Sequence, residues 1–225
     1  MWSVVKEVGE LLPHRLNHAA SGRGGNRAGA GRPRRAGVDD AITSATLDLL
    51  IAVGYQRLTV DEVARRADVA AATVYRRWPS KSSLVAAAAT SATLTPLTPP
   101  DTGSFRRDLD AIVDATYRFF TGPQGKIMRI LVTHSADDEE LLNVVKSTTQ
   151  LRRDGIYSMV ERAKARNEIA STLDPELVAD LFVGPLWTRL LVTGGRITRP
   201  LVQQVADLAA AALSNTGTAG GAGRR

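Results

Sequence analysis

Hydroxyl, phenol and cationic side chains lie close together in one short stretch of the chain, at Thr73, Tyr75, Arg76, Arg77 and Lys81. These groups can donate hydrogen bonds to phosphate oxygens, and Arg can also bond the edge of guanine. No acidic residue occurs in residues 69–100, so nearby sequence offers the cations no partner. The pattern favours a helix that lies in the major groove of DNA.

Two short helices joined by a tight turn are predicted to carry these side chains. Thr59 and Glu62 have the spacing of a capping box, in which the hydroxyl accepts from a free amide of the first turn and the carboxylate reaches back to another. An apolar stripe with helical spacing follows, formed by Val60, Val63, Ala64 and Ala67. A second helix is predicted over residues 71–78, and Pro79 ends it.

Two aromatic residues of the second helix are expected to point in opposite directions. Trp78 lies four residues after Val74, so both belong to the inner face, where the indole would position the turn. Tyr75 falls on the outer face and would offer its hydroxyl to a phosphate. The helix is therefore predicted to have one structural aromatic residue and one DNA-contacting aromatic residue.

The runs LTVDEVARRADV and ATVYRRWPSKSSLV resemble the DNA-binding domain of the TetR/AcrR-type transcriptional regulators. The resemblance covers residues 38–93 and is specific because the capping box, the turn, Tyr75, Trp78 and Lys81 agree together. Asp68 departs from the family pattern, which has glycine in the turn. A left-handed backbone there suits Asp less well than Gly.

The resemblance implies an all-α fold of two domains. A three-helix helix-turn-helix DNA-binding domain would occupy residues 38–95, and a larger helical ligand-binding and dimerisation domain would occupy residues 101–213. Gly- and Ala-rich segments at residues 1–37 and 214–225 are predicted to be disordered tails. Every periodic segment after Ser104 has helical spacing, which agrees with this fold class.

The basic excess of the chain lies in the first of these tails. It holds seven Lys or Arg against two acidic residues, in a chain whose net charge is +6. Its end is predicted to be an extended arm that either enters an adjacent minor groove or touches phosphates without sequence preference. A helix is then predicted to begin at Asp39 and to end at Gly54. With the arm included, the predicted DNA-contacting residues are Arg32, Arg34, Arg35, Thr59, Ala71, Thr73, Tyr75, Arg76, Arg77 and Lys81.

The last two predicted helices carry apolar residues on more than one side. Such helices need two surfaces to pack against, and we expect the second to be the same pair in another subunit of a homodimer. The segment GPLWTRLLVTGGRI also resembles the C-terminal region of this family. The predicted interface residues are Leu181, Leu186, Leu190, Leu201, Val205 and Leu208.

Aromatic and sulfur-containing residues of the second domain could line a cavity for a small apolar effector. The alternative is that they belong to the hydrophobic core, which is the usual place for such residues in an all-helical domain. His134 is open to a similar alternative, a hydrogen-bonded histidine on a helix. The candidate pocket residues are Phe119, Phe120, Met128, Leu131, His134, Trp187 and Arg189.

Catalytic and metal chemistry find little support in the sequence. The chain has no cysteine, and its three histidines form no catalytic or metal-binding constellation. Four acidic residues at positions 137–140 point around a helix and favour a helix start over an ion site. No apolar run is long enough to span a bilayer. We therefore predict no enzymatic activity, no cofactor, no metal, no membrane partner and a cytoplasmic location.

The function predicted from the sequence is that of a transcriptional regulator, by resemblance a repressor. As a homodimer it would bind a palindromic operator on double-stranded DNA and leave it when an effector binds. Two alternatives stay open at this point. One is a constitutive architectural DNA-binding protein, and the other is a helical interaction protein with a degenerate DNA-binding head.

Overall fold

The computed structural model describes residues 32–214, with residues 32–36 described for the backbone alone. Within this range the chain is helical and has no β-strand, so the predicted all-α fold is confirmed. A turn of π-helix (Arg189–Thr193) follows the eighth helix. The α-helices are α1 (Arg32–Arg57), α2 (Val60–Arg66), α3 (Ala71–Tyr75), α4 (Lys81–Thr93), α5 (Phe105–Thr121), α6 (Pro123–His134), α7 (Glu139–Ala165), α8 (Pro175–Thr188) and α9 (Arg199–Ser214).

The first helix begins seven residues earlier than its predicted start at Asp39. Pro33 is the second residue of α1, a position where its missing N–H is not needed, and the Arg and Ala residues that follow are good helix formers. The prediction of an extended arm is therefore wrong for the backbone from Arg32 onward. The side chains of Arg32, Arg34 and Arg35 lie outside the described residues, as do residues 1–31 and 215–225 of the two predicted tails. The prediction of disorder is wrong for the remaining tail residues, 32–37 and 214, which are helical.

Gly54 interrupts α1 with a non-helical backbone, at φ 80° and ψ 170°. The left-handed φ favours glycine, which confirms the predicted end of the long helical run. The chain then turns into α2 and α3, which share one core with α1 and α4 and make the N-terminal head (α1–α4). Its core consists of Ile42, Leu49, Leu50, Leu58, Val60, Val63, Val74, Leu84 and Val85.

Helix α4 connects the head to the body (α5–α9). Ser80 caps it in a reciprocal capping box with Ser83. Its inner face packs against α7, where the hydroxyls of Thr93 and Thr148 are 3.0 Å apart and both side chains are fully buried. This packing joins the first helix after the helix-turn-helix to the body.

The loop after α4 crosses α7 at Gly155. A Cβ atom at this position would lie 1.9 Å from the carbonyl oxygen of Leu97. Gly155→Ala should therefore destabilise the protein by about 1–3 kcal/mol, because the backbone must shift by more than the gain in helix propensity can offset. Chemical denaturation measures this change. Gly37→Ala is the matched control, since its Cβ would meet nothing within 4 Å, and a loss equal to that at Gly155 would contradict the packing described.

Helices α8 and α9 pack together and present apolar residues on two sides. Asp174 caps α8 by accepting from the Glu176 N–H at 2.9 Å. The inner side includes Leu186 and Val205, which are buried in the chain's own core and so cannot contact a partner as predicted. The outer side exposes Leu177 (61%), Leu181 (40%), Leu191 (36%), Val192 (79%) and Leu208 (69%).

No helix in the described part of the chain combines the length and the apolar character needed to cross a bilayer.

Candidate DNA interface and effector cavity

The helix-turn-helix begins at a cap on α2. The hydroxyl of Thr59 accepts from the Glu62 N–H at 3.3 Å, as predicted. The reciprocal half of the capping box is not formed, because the Glu62 carboxylate accepts from Arg65 at 2.6 and 2.8 Å and lies 3.4 Å from Arg66. A charged guanidinium is a stronger donor than a backbone amide, and these contacts lower the pKa of Glu62.

The turn between α2 and α3 depends on Asp68, whose φ is +53°. Aspartate tolerates this left-handed conformation better than most residues, so the turn forms without the glycine typical of the family. The Val69 N–H closes the turn by donating to the carbonyl of Ala64 at 3.0 Å. Helix α3 is shorter than predicted: it ends at Tyr75, and residues 76–77 continue as a turn.

Three side chains of this segment are free to meet a ligand. Tyr75 is 49% exposed, and Arg76 is also exposed. Thr73 is half-buried on the same segment. Within residues 32–214 none of the three side chains has a hydrogen-bond or ion-pair partner. Two hydroxyls and one guanidinium are therefore available for DNA.

Arg77 does not share this freedom. Its guanidinium pairs with the carboxylate of Asp39 on α1 and donates to the carbonyl of Thr73 at 3.0 Å, and its side chain is 20% exposed. The prediction that Arg77 stands free for DNA overlooked a partner 38 residues away. We infer that Arg77 has a structural role, because it links residues 71–78, the recognition segment, to α1.

Lys81 also turns back toward the head. Its ammonium donates to the carbonyl of Gln56 at 3.3 Å and lies 4.5 Å from the centre of the Tyr55 ring. Burial lowers the pKa of Lys81. Trp78 is half-buried against the core, which agrees with its predicted structural role. Ala71 begins α3, and Ala70 before it supplies no side-chain cap.

A polar junction joins the head to the body around Asp138. Its carboxylate accepts from the hydroxyls of Ser82 on α4 and Tyr55 on α1, the latter at 3.4 Å, and from the Leu141 N–H at 3.1 Å. Burial acts to raise the pKa of Asp138, but these hydrogen bonds outweigh it and the pKa is lowered. The ring of His134 lies 5.0 Å from that of Tyr55, so the histidine belongs to this junction and not to the cavity as predicted.

A cavity of about 30 Å³ lies between α5, α6, α7 and α8. Of the predicted pocket residues, Phe119, Phe120, Met128 and Trp187 line it. Leu131 is fully buried in the core, and Arg189 lies beyond the end of α8, where its guanidinium is 3.5 Å from the carbonyl of Arg196. The remaining lining residues were not predicted as pocket residues: Leu97, Thr116, Thr148, Thr149, Arg152, Arg153, Ile156 and Val183.

Arg152 is the most informative of the unpredicted lining residues. Its guanidinium carbon lies 3.9 Å from the centre of the Phe119 ring, and burial lowers the pKa of Arg152 to about 10. The sequence contains a pattern that could have indicated this position, because Arg152 comes four residues after Thr148 and four before Ile156. Both neighbours are buried, so a cation stands in phase with the inner stripe of α7.

The described residues contain no cluster of three or more His, Cys, Asp or Glu that could hold a metal ion.

Comparison with known proteins identifies both parts of the fold. Residues 42–88 match the family described as "Bacterial regulatory proteins, tetR family". Residues 99–209 match the family described as "Tetracyclin repressor-like, C-terminal domain". The first match spans the helix-turn-helix, and the second spans the helices that enclose the cavity.

Individual relatives agree with these matches. The uncharacterized HTH-type transcriptional regulator YdeS of Bacillus subtilis is 34% identical over 78% of this chain and 89% of its own length. The DNA-binding transcriptional repressor TetR of Mycobacteroides abscessus is 28% identical over 74% of this chain and 88% of its own. The solved structure of the TetR family transcription regulator SCO0332 is 27% identical and covers 78% of this chain and 98% of its own, with a TM-score of 0.56.

Proposed function

The chain belongs to the TetR family of bacterial regulatory proteins, and from this premise we propose that it is a repressor whose dimer leaves a palindromic operator when a small molecule binds. It is a DNA-binding transcriptional regulator and not an enzyme. The single observation that carries the proposal is the free, exposed edge of the recognition segment at Tyr75 and Arg76. Such a protein would act in the cytoplasm, on the chromosome.

The proposed DNA contacts follow from which groups are free. Arg76 would bond a guanine edge or a phosphate, while Thr73 and Tyr75 would bond phosphates. Thr59 and Ala71, at the starts of α2 and α3, would lie along the sugar–phosphate backbone of the DNA. Lys81 would support the turn more than it contacts phosphate. Arg32, Arg34 and Arg35, in the first turn of α1, would contact phosphates of the neighbouring DNA.

The proposed dimer interface is the exposed apolar side of α8 and α9. Leu181 and Leu208 belong to the predicted set, with the half-buried Leu190 and Leu201 beside them. Leu177, Leu191 and Val192 extend the same side. A second copy is the favoured occupant, because a repressor of palindromic DNA needs two heads related by a twofold axis. The pattern in which α8 and α9 are apolar on both sides supports this arrangement.

Release by an effector requires that the ligand prefer one arrangement of the heads over the other. The cavity is bounded by α7, which reaches α4 through Thr148 and Thr93. Helix α4 in turn directly follows the recognition segment. We propose that the head ends near residue 95 and the body begins near residue 101, and that these two domains move relative to each other. To shift an equilibrium from 1:99 to 99:1, the ligand must favour one state by about 5.5 kcal/mol.

The junction at Asp138 should stabilise the packing of head on body. Asp138→Asn keeps a side chain that can cap α7 but weakens acceptance from Ser82 and Tyr55. We expect it to lower the free energy of unfolding by about 1–2 kcal/mol, measured by denaturant titration. Asp137→Asn is the control, since Asp137 is exposed and has no side-chain partner within residues 32–214. Equal stability of the two variants would show that the junction contributes nothing.

Selection of bound fragments from random duplexes tests the proposed function. A dimeric reader should enrich a palindrome whose half-sites are separated by about 10 base pairs or a multiple of this spacing. Binding without any enriched sequence would instead indicate an architectural DNA-binding protein. A failure to bind at physiological salt would indicate a helical interaction protein.

A further inference from the structure

Three polar side chains in the cavity lining lack a partner. Thr116 is 1% exposed, and its hydroxyl makes no hydrogen bond within residues 32–214, not even to its own helix. The hydroxyl of the half-buried Thr149 and the guanidinium of Arg152 also have no hydrogen-bond or ion-pair partner in the same part of the chain, and the guanidinium lies over the face of Phe119. No acidic residue lines the cavity. Its unpaired polar groups therefore amount to one positive charge and two hydroxyls.

Arg153, the second arginine that lines the cavity, differs from Arg152 because its guanidinium has hydrogen-bond partners. Arg153 donates to Asp180 at 2.6 Å, to the Tyr157 hydroxyl at 2.8 Å and to the carbonyl of Glu176 at 3.2 Å. Arg152, its neighbour in sequence, also lines the cavity but has none of these partners. Arg152 is half-buried, and withdrawing a cation even partly from water without a partner is unfavourable, so the cavity favours an incoming anion over a neutral or cationic molecule.

The surroundings restrict the anion further. Most of the wall is aromatic or aliphatic, which suits an apolar body. One unpaired guanidinium can neutralise a single negative charge and the hydroxyls can bond it, whereas a phosphate dianion would bring charge that nothing in the lining neutralises. A guanidinium binds a carboxylate with two parallel hydrogen bonds.

We propose that the cavity binds a small apolar monocarboxylate, with Arg152 paired to the carboxylate, Thr116 donating to one of its oxygens, and the apolar body against Phe120, Met128 and Trp187. This inference rests on the proposed function in taking the ligand to be the effector. At about 30 Å³ the cavity holds no more than a water molecule or two as it stands, so the ligand must displace its walls. Thr148 lines the cavity, and its hydroxyl is hydrogen-bonded to that of Thr93 on α4. A displacement of the cavity wall would therefore move α4 and, through it, the head.

The test uses the full-length protein and matched pairs of probes: butyrate with butyramide, and benzoate with benzamide. We expect each carboxylate at about 10 mM to raise the Tm, with titration calorimetry giving a Kd of roughly 1 mM or lower, and each amide to bind at least about tenfold more weakly. Binding of the amides as tightly as the carboxylates would overturn the proposal. So would a failure of both carboxylates to bind.

Variants separate a ligand-binding role of Arg152 from a structural one. Arg152→Met fills a similar volume without charge. It should lower carboxylate affinity at least about tenfold and leave the Tm of the ligand-free protein unchanged or raised, because a half-buried unpaired charge is removed. Thr116→Val should lower the affinity about three- to tenfold. Arg129→Met, on an exposed arginine outside the cavity, controls for nonspecific salt effects.

Two results for these variants overturn the proposal: unchanged carboxylate binding in Arg152→Met, or a lowered Tm of that variant without any change in affinity. DNA release is scored separately in the same carboxylate titrations. Arg152-dependent binding that leaves the protein–DNA complex intact would support the carboxylate site and contradict ligand-released repression.

Discussion

Arg76→Ala is expected to weaken operator binding by about 1–3 kcal/mol, a rise of roughly 5- to 150-fold in the dissociation constant. The reason is that Arg76 is exposed on the recognition segment and its guanidinium has no partner among the described residues. A contact to a base edge would also relax sequence preference at one position. A contact to phosphate would reduce the salt dependence of binding by about one counterion. Gel shifts across a salt series measure both quantities.

Arg77→Ala is the matched control, one residue further along the chain. Because Arg77 pairs with Asp39 and bonds the Thr73 carbonyl, its loss should lower the free energy of unfolding by about 0.5–1.5 kcal/mol. Arg76→Ala should leave stability within about 0.5 kcal/mol of the parent. The assignment of roles fails if Arg76→Ala binds the operator like the parent, or if Arg76→Ala destabilises the protein and Arg77→Ala does not.

The double variant Leu181→Glu, Leu208→Glu is expected to convert the dimer to a monomer. Both side chains are exposed and apolar, and burying two glutamates of each subunit against their symmetry mates costs far more than the leucines contributed. Operator affinity should fall by about 10²- to 10⁴-fold, because the two heads then bind as independent units. Sedimentation at micromolar concentration and gel shifts measure the two effects.

Lys126→Glu controls for the added negative charge of that variant. Lys126 is exposed on α6, and its replacement changes the charge by the same two units as the two leucine substitutions together. It should remain dimeric. Persistence of the dimer in the double leucine variant would place the interface elsewhere on the chain.

Local rules explain why much of the head could be predicted from its sequence. The starts of α2 and α4 follow from side-chain caps within three residues, at Thr59 and Ser80. The turn follows from a residue that tolerates a left-handed backbone, Asp68. Such signals are complete within a few residues, so they do not depend on the rest of the fold.

Partners that are distant in sequence could not be predicted in the same way. Arg77 finds Asp39, and Asp138 finds Ser82 and Tyr55, only after the helices have packed. The charges nearby in the sequence offer neither Arg76 nor Arg77 a partner. Arg76 indeed has none among the described residues, whereas Arg77 pairs with the distant Asp39. The predicted start of α1 at Asp39 is wrong for another reason. Asp39 and Asp40 are typical of a first helical turn, but Pro33 is compatible with an earlier start.

The body shows a different limit of sequence patterns. A helix that is apolar on two sides does not reveal which side meets its own core, and so Leu186 and Val205 were assigned to the interface although they are buried. Aromatic residues were recognised as lining residues of the cavity. The charged residue that distinguishes the cavity, Arg152, was not predicted, because the apolar pattern of α7 does not by itself include a cation.

Parallel titration of a selected operator duplex and a shuffled duplex of the same composition tests the central claim, that the exposed edge of α3 reads DNA sequence. At physiological salt the protein should bind the operator at least about 10³-fold more tightly than the shuffled duplex. Arg76→Ala should reduce that ratio. Equal affinities for the two duplexes, or a ratio that Arg76→Ala leaves unchanged, would contradict the claim.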